Sequence, residues 1–149
     1  MFLSGEKIEQ AIKEGSLGIL PFDRNNLKGA SYTFTLASKI LMLKQTGILD
    51  VEQKPEYEEH SIGSDGFILK PGTFVLGYTQ EKLTLNNKYI CFLSARSSLA
   101  QVGLNTLLGS FFAEPNTDSP QVIEIHNTAS IPIKLRAGMK LVKGVFASL

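Results

Sequence analysis

The strongest constraint on this chain is the shortness of its apolar runs. From residue 30 onward they alternate with polar residues, favour β-branched and aromatic types, and are cut by Gly, Pro or Asn every few residues. "SYTFTLASKILML" opens the series. "GFILKPGTFVLGYTQEKLTL" holds two runs split by Pro71-Gly72, a turn pair. "KYICFLSA", "QVIEIHN" and "IPIKLRAGMKLVKGVF" continue it. Many short strands between such turns predict an all-β sandwich or barrel. One segment breaks the rule. Ser4 is placed to cap a short N-terminal helix, with Lys7 where a capping box would have Glu. Ile8, Ala11 and Ile12 share one face of that helix, and Gly15 stops it. "LGILPF" then reads as a short strand broken at Pro21. The acidic stretch "LDVEQKPEYEEHSIGSDG" reads as a long exposed loop or an edge excursion. No repeat, low-complexity tract or linker divides residues 1–149, so a single domain is expected.

Composition narrows the function classes. A formal net charge of +1 gives no broad basic surface, so nucleic-acid binding is not expected, although a local cluster can still hold a small anion. Cys91 is the only cysteine and sits in an apolar run, which suits a reduced thiol in the core and a cytoplasmic setting. The N-terminus lacks the pattern of a secretory signal, and no run approaches the roughly 18 apolar residues of a membrane span. Two histidines and one cysteine, without Cys-x-x-Cys, argue against zinc. A zinc-dependent nucleobase deaminase would need His-x-Glu and Pro-Cys-x-x-Cys, and neither is present. Phosphate loops of the Gly-x-x-x-x-Gly-Lys and Gly-x-Gly-x-x-Gly types are missing too.

Three stretches carry candidate chemistry. In "SARSSLAQVGL", Arg96 offers a planar fork of donors for phosphate, and Ser97 and Ser98 add hydroxyls. The same residues also suit a polar helix start, with Ser97 or Ser98 as the cap. In "QVIEIHN", a strand would turn Val122, Glu124 and His126 to one side, and Ile123 and Ile125 to the other. Glu124 then either sits on a solvated face or lines a pocket where it can shuttle protons. In "GSFFAEPNTDSPQ", Pro115 and Pro120 bound a loop carrying Glu114 and Asp118.

Taken in order, these pieces resemble the dCTP deaminase branch of the deoxyuridine triphosphatase superfamily. "FLSGEKIEQAIKEGSLGILPFD" is similar to the family's opening Leu-Ser-Asp, helix and Pro-Phe. "GASYTFTLASKI" resembles its Ser-Tyr-Asp-Leu segment, and "LKPGTFVLGYTQEKLTL" its Pro-Gly hairpin. "ARSSLAQVGL" resembles Arg-Ser-Ser-Leu-Ala-Arg-x-Gly-Leu. "AEPNTDSPQVIEIHN" stands in the place of Ile-Asp-Pro-Gly-Trp-x-Gly and Leu-Glu-Leu-x-Asn. "IPIKLRAGMKL" matches the closing Pro-x-x-Leu-x-x-Gly-Met.

The resemblance implies a distorted jelly-roll β-barrel that assembles as a homotrimer with sites between subunits. It implies zinc-independent conversion of dCTP to dUTP, with Mg²⁺ accompanying the triphosphate and no side-chain metal ligands. By position, Glu124 would be the acid/base. Arg96, Ser97 and Ser98 would meet the nucleotide, and Ser97 would help hold the reacting water. Gln101 and Glu114 would line the site, and Val122 and Ile123 would contact the base through their backbone. Several positions depart from the pattern. Gln101 replaces a second Arg, Thr33 replaces an Asp, and Asn116, Thr117 and Ser119 replace Gly, Trp and Gly. Leu107 and Gly109-Ser110 replace a His and a Thr-Ala pair. The chain also stops at Leu149, short of the tail that closes over the nucleotide in the family. These departures imply an alternative: a weak or silent member that binds a deoxynucleotide or a protein. A dUTP pyrophosphatase is a lesser alternative, since residues 105–123 hold no Tyr of the kind that enzyme uses.

Overall fold

The structure, a computed structural model, describes residues 1–44, 47–106 and 109–149. The helix forms as its sequence predicts. It is α1 (Gly5–Lys13), and the Ser4 hydroxyl accepts the Lys7 N–H at 3.3 Å. Ile8 and Ala11 are buried on its inner face. Gly15 takes a left-handed φ of 72°, which glycine adopts without steric cost, and its N–H reaches the Ile12 carbonyl. Glu9 pairs with Arg24 in a short helical turn (Arg24–Asn26), which pins the helix to the following segment.

The rest of the chain is strands: β1 (Leu17–Leu20), β2 (Tyr32–Leu43), β3 (Tyr57–Ser61), β4 (Phe67–Leu69), β5 (Phe74–Leu85), β6 (Tyr89–Ala95), β7 (Leu104–Asn105), β8 (Phe112–Ala113), β9 (Asp118–Asn127), β10 (Ile133–Leu135) and β11 (Lys140–Ser148). A four-residue helix, α2 (Ser97–Ala100), interrupts them. The main sheet runs β7-β9-β5-β2-β11-β6-β8, with β1 added to β5 and β3 to β2, and β4 pairs with β10 separately. All pairings are antiparallel. This is the expected all-β architecture, with α2 added to the one helix predicted.

Two strands govern the curl. On one edge, β2 pairs first with β11, up to Thr35, and then with β3 from Lys39. On one edge of β5, β2 occupies Leu76–Thr79 and β1 occupies Lys82–Leu85. The register shifts in both strands at the hand-over, as bulges do where a sheet bends toward a barrel. Inward-facing Tyr32, Phe34, Leu36, Ile40, Val75, Leu83, Ile123, Ile125, Leu141 and Phe146 fill the interior, and Cys91 lies buried among them. Burial pushes the Cys91 thiol well above its ordinary pKa, so it is a packing group rather than a nucleophile. No helix among the described residues is long and apolar enough to cross a membrane.

Two local expectations are resolved by the structure. Of the two readings of the acidic stretch, the edge excursion holds for Tyr57–Ser61, which forms an edge strand on β2. Its composition hides it, since an outermost strand with exposed side chains needs no apolar alternation. The loop bounded by Pro115 and Pro120 is also shorter than predicted. Asp118, Ser119 and Pro120 already pair with Thr84, Leu83 and Lys82. Pro120 is tolerated because it sits at a bulge, where the ladder is broken.

Gly144 lies where β11 crosses β2, and a Cβ there would come within 2.6 Å of the Phe34 ring and 3.0 Å of Cys91 Sγ. Gly144→Ala should therefore cost about 1–3 kcal/mol by overpacking, read as a lower denaturant midpoint at unchanged slope. The start of β9 is held differently. Asp118 takes hydrogen bonds from Lys82 and Thr84, and these hold its carboxyl below the usual carboxylate range. The folded pKa lies below the unfolded one, so this contribution is complete above about pH 4 and fades as pH falls further. Lys82→Met should flatten the acid side of the stability profile while leaving its neutral slope alone.

Candidate functional site

The outward face of β9 is set by what its inward face buries. Ile123 and Ile125 are fully buried, which turns Val122, Glu124 and His126 outward as the alternation predicts. Glu124 is half-buried rather than freely solvated. Its Oε2 accepts the Gly109 N–H at 2.7 Å, and its Oε1 faces the Ser110 N–H at 3.4 Å. The dipeptide that replaces Thr-Ala thus contributes through its backbone, which any residue pair can supply. Leu107, the other departure in that segment, lies outside the described residues.

The Arg-Ser-Ser stretch forms the turn into α2. Neither serine caps the helix. Arg96 occupies the cap position with an extended backbone, and no side chain makes the capping bond. The Arg96 guanidinium instead donates to the Lys140 carbonyl at 3.0 Å, because the end of β6 runs beside the start of β11. Ser97 and Ser98 are exposed. Gln101 stands one helical turn beyond Ser97, and its Nε2 donates to the Ser97 hydroxyl at 2.9 Å. That leaves the Ser97 O–H proton to point elsewhere, toward a ligand or water. Thr33 is buried on β2 opposite Lys143.

Glu114 is exposed at the end of β8 and keeps its loop tight through its carbonyl, which accepts both the N–H and the hydroxyl of Thr117. Asn116 holds a φ of 64° in that loop. Asn tolerates the left-handed region better than other non-glycine residues, so it suits this position where the family pattern has Gly.

Sequence reasoning passed over the residue that joins the two halves of this arrangement. Asn127 is completely buried at the end of β9. Its Nδ2 donates to the carbonyls of Leu69 and Ile131, and its Oδ1 accepts the Ala129 N–H, each at 2.9 Å. The turn so locked presents Thr128, whose N–H and hydroxyl both donate to the Gly103 carbonyl at 2.8 Å. Gly103 closes the α2 segment with a φ of 82°, and a Cβ there would lie 2.9 Å from the Ala129 nitrogen. The strand of Glu124 and the segment of Arg96 to Gln101 are therefore fastened at one point. The signal was available, since Asn127 shares the phase of Ile123 and Ile125, and a polar side chain on an apolar strand face must be hydrogen-bonded.

Among the described residues, no three His, Cys, Asp or Glu side chains gather as metal ligands. Two surface hollows, of about 550 and 480 Å³, lie elsewhere. The first is lined by residues such as Leu43, Ile48 and Pro55, and the second by residues such as Ser4, Glu9 and Arg24. None of the candidate site residues borders either one.

The fold is shared with the deoxyuridine triphosphatases. The Streptococcus mutans dUTPase superposes with a TM-score of 0.57 at 18% identity, over 90% of this chain and 95% of that one. The 2'-deoxycytidine 5'-triphosphate deaminase of Agrobacterium tumefaciens superposes with a TM-score of 0.78 at 19% identity. That match covers 97% of this chain, which spans 47% of the Agrobacterium protein. The dCTP deaminase-like family model matches residues 2–149, and the chain belongs to that family. Among relatives, the dCTP deaminase of Idiomarina loihiensis is 32% identical, over 95% of this chain and 80% of that protein. The dUMP-forming dCTP deaminase of a Hydrogenobaculum species is 30% identical, over 100% of this chain and 83% of that protein.

Asn127→Ala should leave the buried Leu69 carbonyl, and the part-buried Ile131 carbonyl and Ala129 N–H, without their partner, at a cost of about 1–3 kcal/mol. The thermal midpoint should fall by several degrees, and amide exchange should quicken at Thr128 and Ala129 as the clasp on Gly103 opens.

Proposed function

We propose that the chain is a nucleotide hydrolase that removes the 4-amino group of dCTP without zinc. The observation that carries this reading is the placement of Glu124, half-buried on the outward face of β9 and oriented by the backbone N–H of Gly109. In the reaction, Glu124 takes a proton from water as its oxygen attacks C4 of the cytosine. It returns that proton to N3 of the ring. A second proton, from the added oxygen, passes through the same carboxyl to the departing ammonia. Water is consumed, the C4–N4 bond breaks, and dUTP and ammonia remain. Ser97, which accepts a hydrogen bond from Gln101, orients the water, and the N–H and C=O groups of Val122 and Ile123 read the base. Arg96 and Ser98 meet the phosphates, the guanidinium exchanging the Lys140 carbonyl for phosphate oxygens. Mg²⁺ travels with the triphosphate. Glu114 lies near the sugar.

The exposed rings of Phe2, Phe111 and Phe112, gathered around the half-buried Phe92, support assembly as a homotrimer in which a neighbour completes each site. Some relatives are named dUMP-forming, and the same product assay distinguishes dUTP from dUMP and pyrophosphate. A second reading is supported by Gln101. Where the family pattern has a cation, this chain has an amide already engaged with Ser97. A protein that binds the nucleotide and turns it over slowly, or not at all, accords with that exchange.

The test incubates the protein with each deoxynucleoside triphosphate and Mg²⁺ while following ammonia, dUTP and dUMP. Ammonia release from dCTP is the expected result, and Glu124→Gln should lower kcat by about a hundredfold or more without changing the oligomeric state. Tight calorimetric binding of dCTP with no ammonia would support the second reading instead. Neither binding nor turnover of a cytosine nucleotide would overturn both.

A further inference from the structure

Among the described residues, Glu81 is the one buried carboxylate, 3% exposed, and the chemistry proposed at Glu124 makes no use of it. It lies at the corner where β2 and β5 change partners. Past its pairing with Lys140, Thr35 leaves the β11 ladder. Its N–H donates to Glu81 Oε2 at 2.9 Å, and its hydroxyl donates to Oε1 at 2.8 Å. Thr79, also buried, lies on the same inward face and bonds toward β9 instead of β2. Its hydroxyl donates to the Glu81 carbonyl at 2.7 Å and accepts the Gln121 N–H of β9 at 2.8 Å. At this place residues 79–81 of β5 stand against Gln121 alone, between the pairs Tyr78–Val122 and Lys82–Pro120.

The bulge would otherwise strand two backbone N–H groups, at Thr35 and Gln121. A carboxylate and a hydroxyl on consecutive inward positions of β5 receive them. The consequence for β9 is one of phase. Pro120 has no N–H, so the Gln121 N–H is the first donor available to anchor the segment that carries Glu124. A slip of one residue would turn Glu124 into the core and bring Ile123 and Ile125 out. From this geometry we propose that Thr79 and Glu81 are positioning residues for the site. Thr79 locks the register of Gln121 to Glu124 directly, and Glu81 braces the corner beneath it by holding Thr35 of β2 and by accepting the Thr79 hydroxyl at its carbonyl. Together they set the direction of the Glu124 carboxylate and the height of the Val122 and Ile123 backbone. The inference rests on the proposed role of Glu124 for its kinetic consequence, though not for its structural one.

Three variants test it. Thr79→Val keeps the shape and removes the hydroxyl, and Thr79→Ser restores the hydroxyl. Glu81→Gln turns one acceptor facing Thr35 into a donor. The full chain is read by amide hydrogen exchange and by steady-state kinetics with dCTP and Mg²⁺. In Thr79→Val, exchange should quicken by about tenfold or more at Gln121 to Glu124, while amides of β11 such as Val145 keep their protection. The kcat should fall by about tenfold with a smaller change in KM, and Thr79→Ser should recover to within about twofold of the parent. Glu81→Gln should move both readouts in the same direction, and it decides the matter should Thr79→Val fail to fold.

Unchanged exchange at Gln121 to Glu124 would overturn the proposal. So would loss of protection spread evenly over all strands, a serine variant no better than valine, or faster exchange with kcat intact. If the parent protein releases no ammonia, the deaminase reading fails by itself. The exchange comparison still decides whether Thr79 and Glu81 hold the strand.

Discussion

The fold depends on a corner. β2 and β5 are each 12 residues long, and each must satisfy two different neighbours along one edge. Where one neighbour ends and the next begins, backbone donors lose their ladder partners, and a buried N–H without an acceptor is costly. Here the carboxylate of Glu81 and the hydroxyl of Thr79 take those donors. A charged acceptor is useful at such a point because it makes strong hydrogen bonds to the backbone from a low-dielectric interior. The sheet can then curl without a break, and its interior is packed by side chains from β2, β5, β9 and β11.

The functional effect of that corner is transmitted along β9. The strand is held at Gln121 by the Thr79 hydroxyl and at its far end by Asn127, and Glu124 lies between them. Asn127 also locks the turn that seizes Gly103, so the end of the Arg96 segment is set by the same strand. The chemical groups themselves stand on a turn and a strand face, but their relation is determined by buried polar residues outside the candidate site. Gln101 fits this picture as a local substitution. Its neutral amide donates to the Ser97 hydroxyl, where an Arg in the family pattern would bring a charge.

Much of this was legible in the chain. Ser4, the Ile8–Ala11 face and Gly15 mark the helix because capping, periodicity and positive φ are local properties. The alternation of Val122 to His126 showed which way Glu124 would face. Other features could not be read. Tyr57–Ser61 has the composition of a loop, and only its ladder with β2 makes it a strand. Asp118 to Pro120 look like loop residues until β5 pairs with them. The bond from Arg96 to the Lys140 carbonyl joins residues far apart in the chain, and nothing local in either stretch announces it. Asn127 was visible as a polar residue in an apolar phase, but its three partners were not.

By itself, then, the sequence determined the class of fold, the outward direction of Glu124 and the family to which the Arg96–Ser97–Ser98 stretch points. These come from periods of two and 3.6 residues, from turn chemistry and from the order of short motifs. Only the tertiary structure decided where strands exchange partners, which buried groups receive the donors freed there, and how the two candidate clusters are fastened. Those outcomes are set by hydrogen-bond satisfaction between residues distant in the chain, a condition that exists only once the sheet has curled.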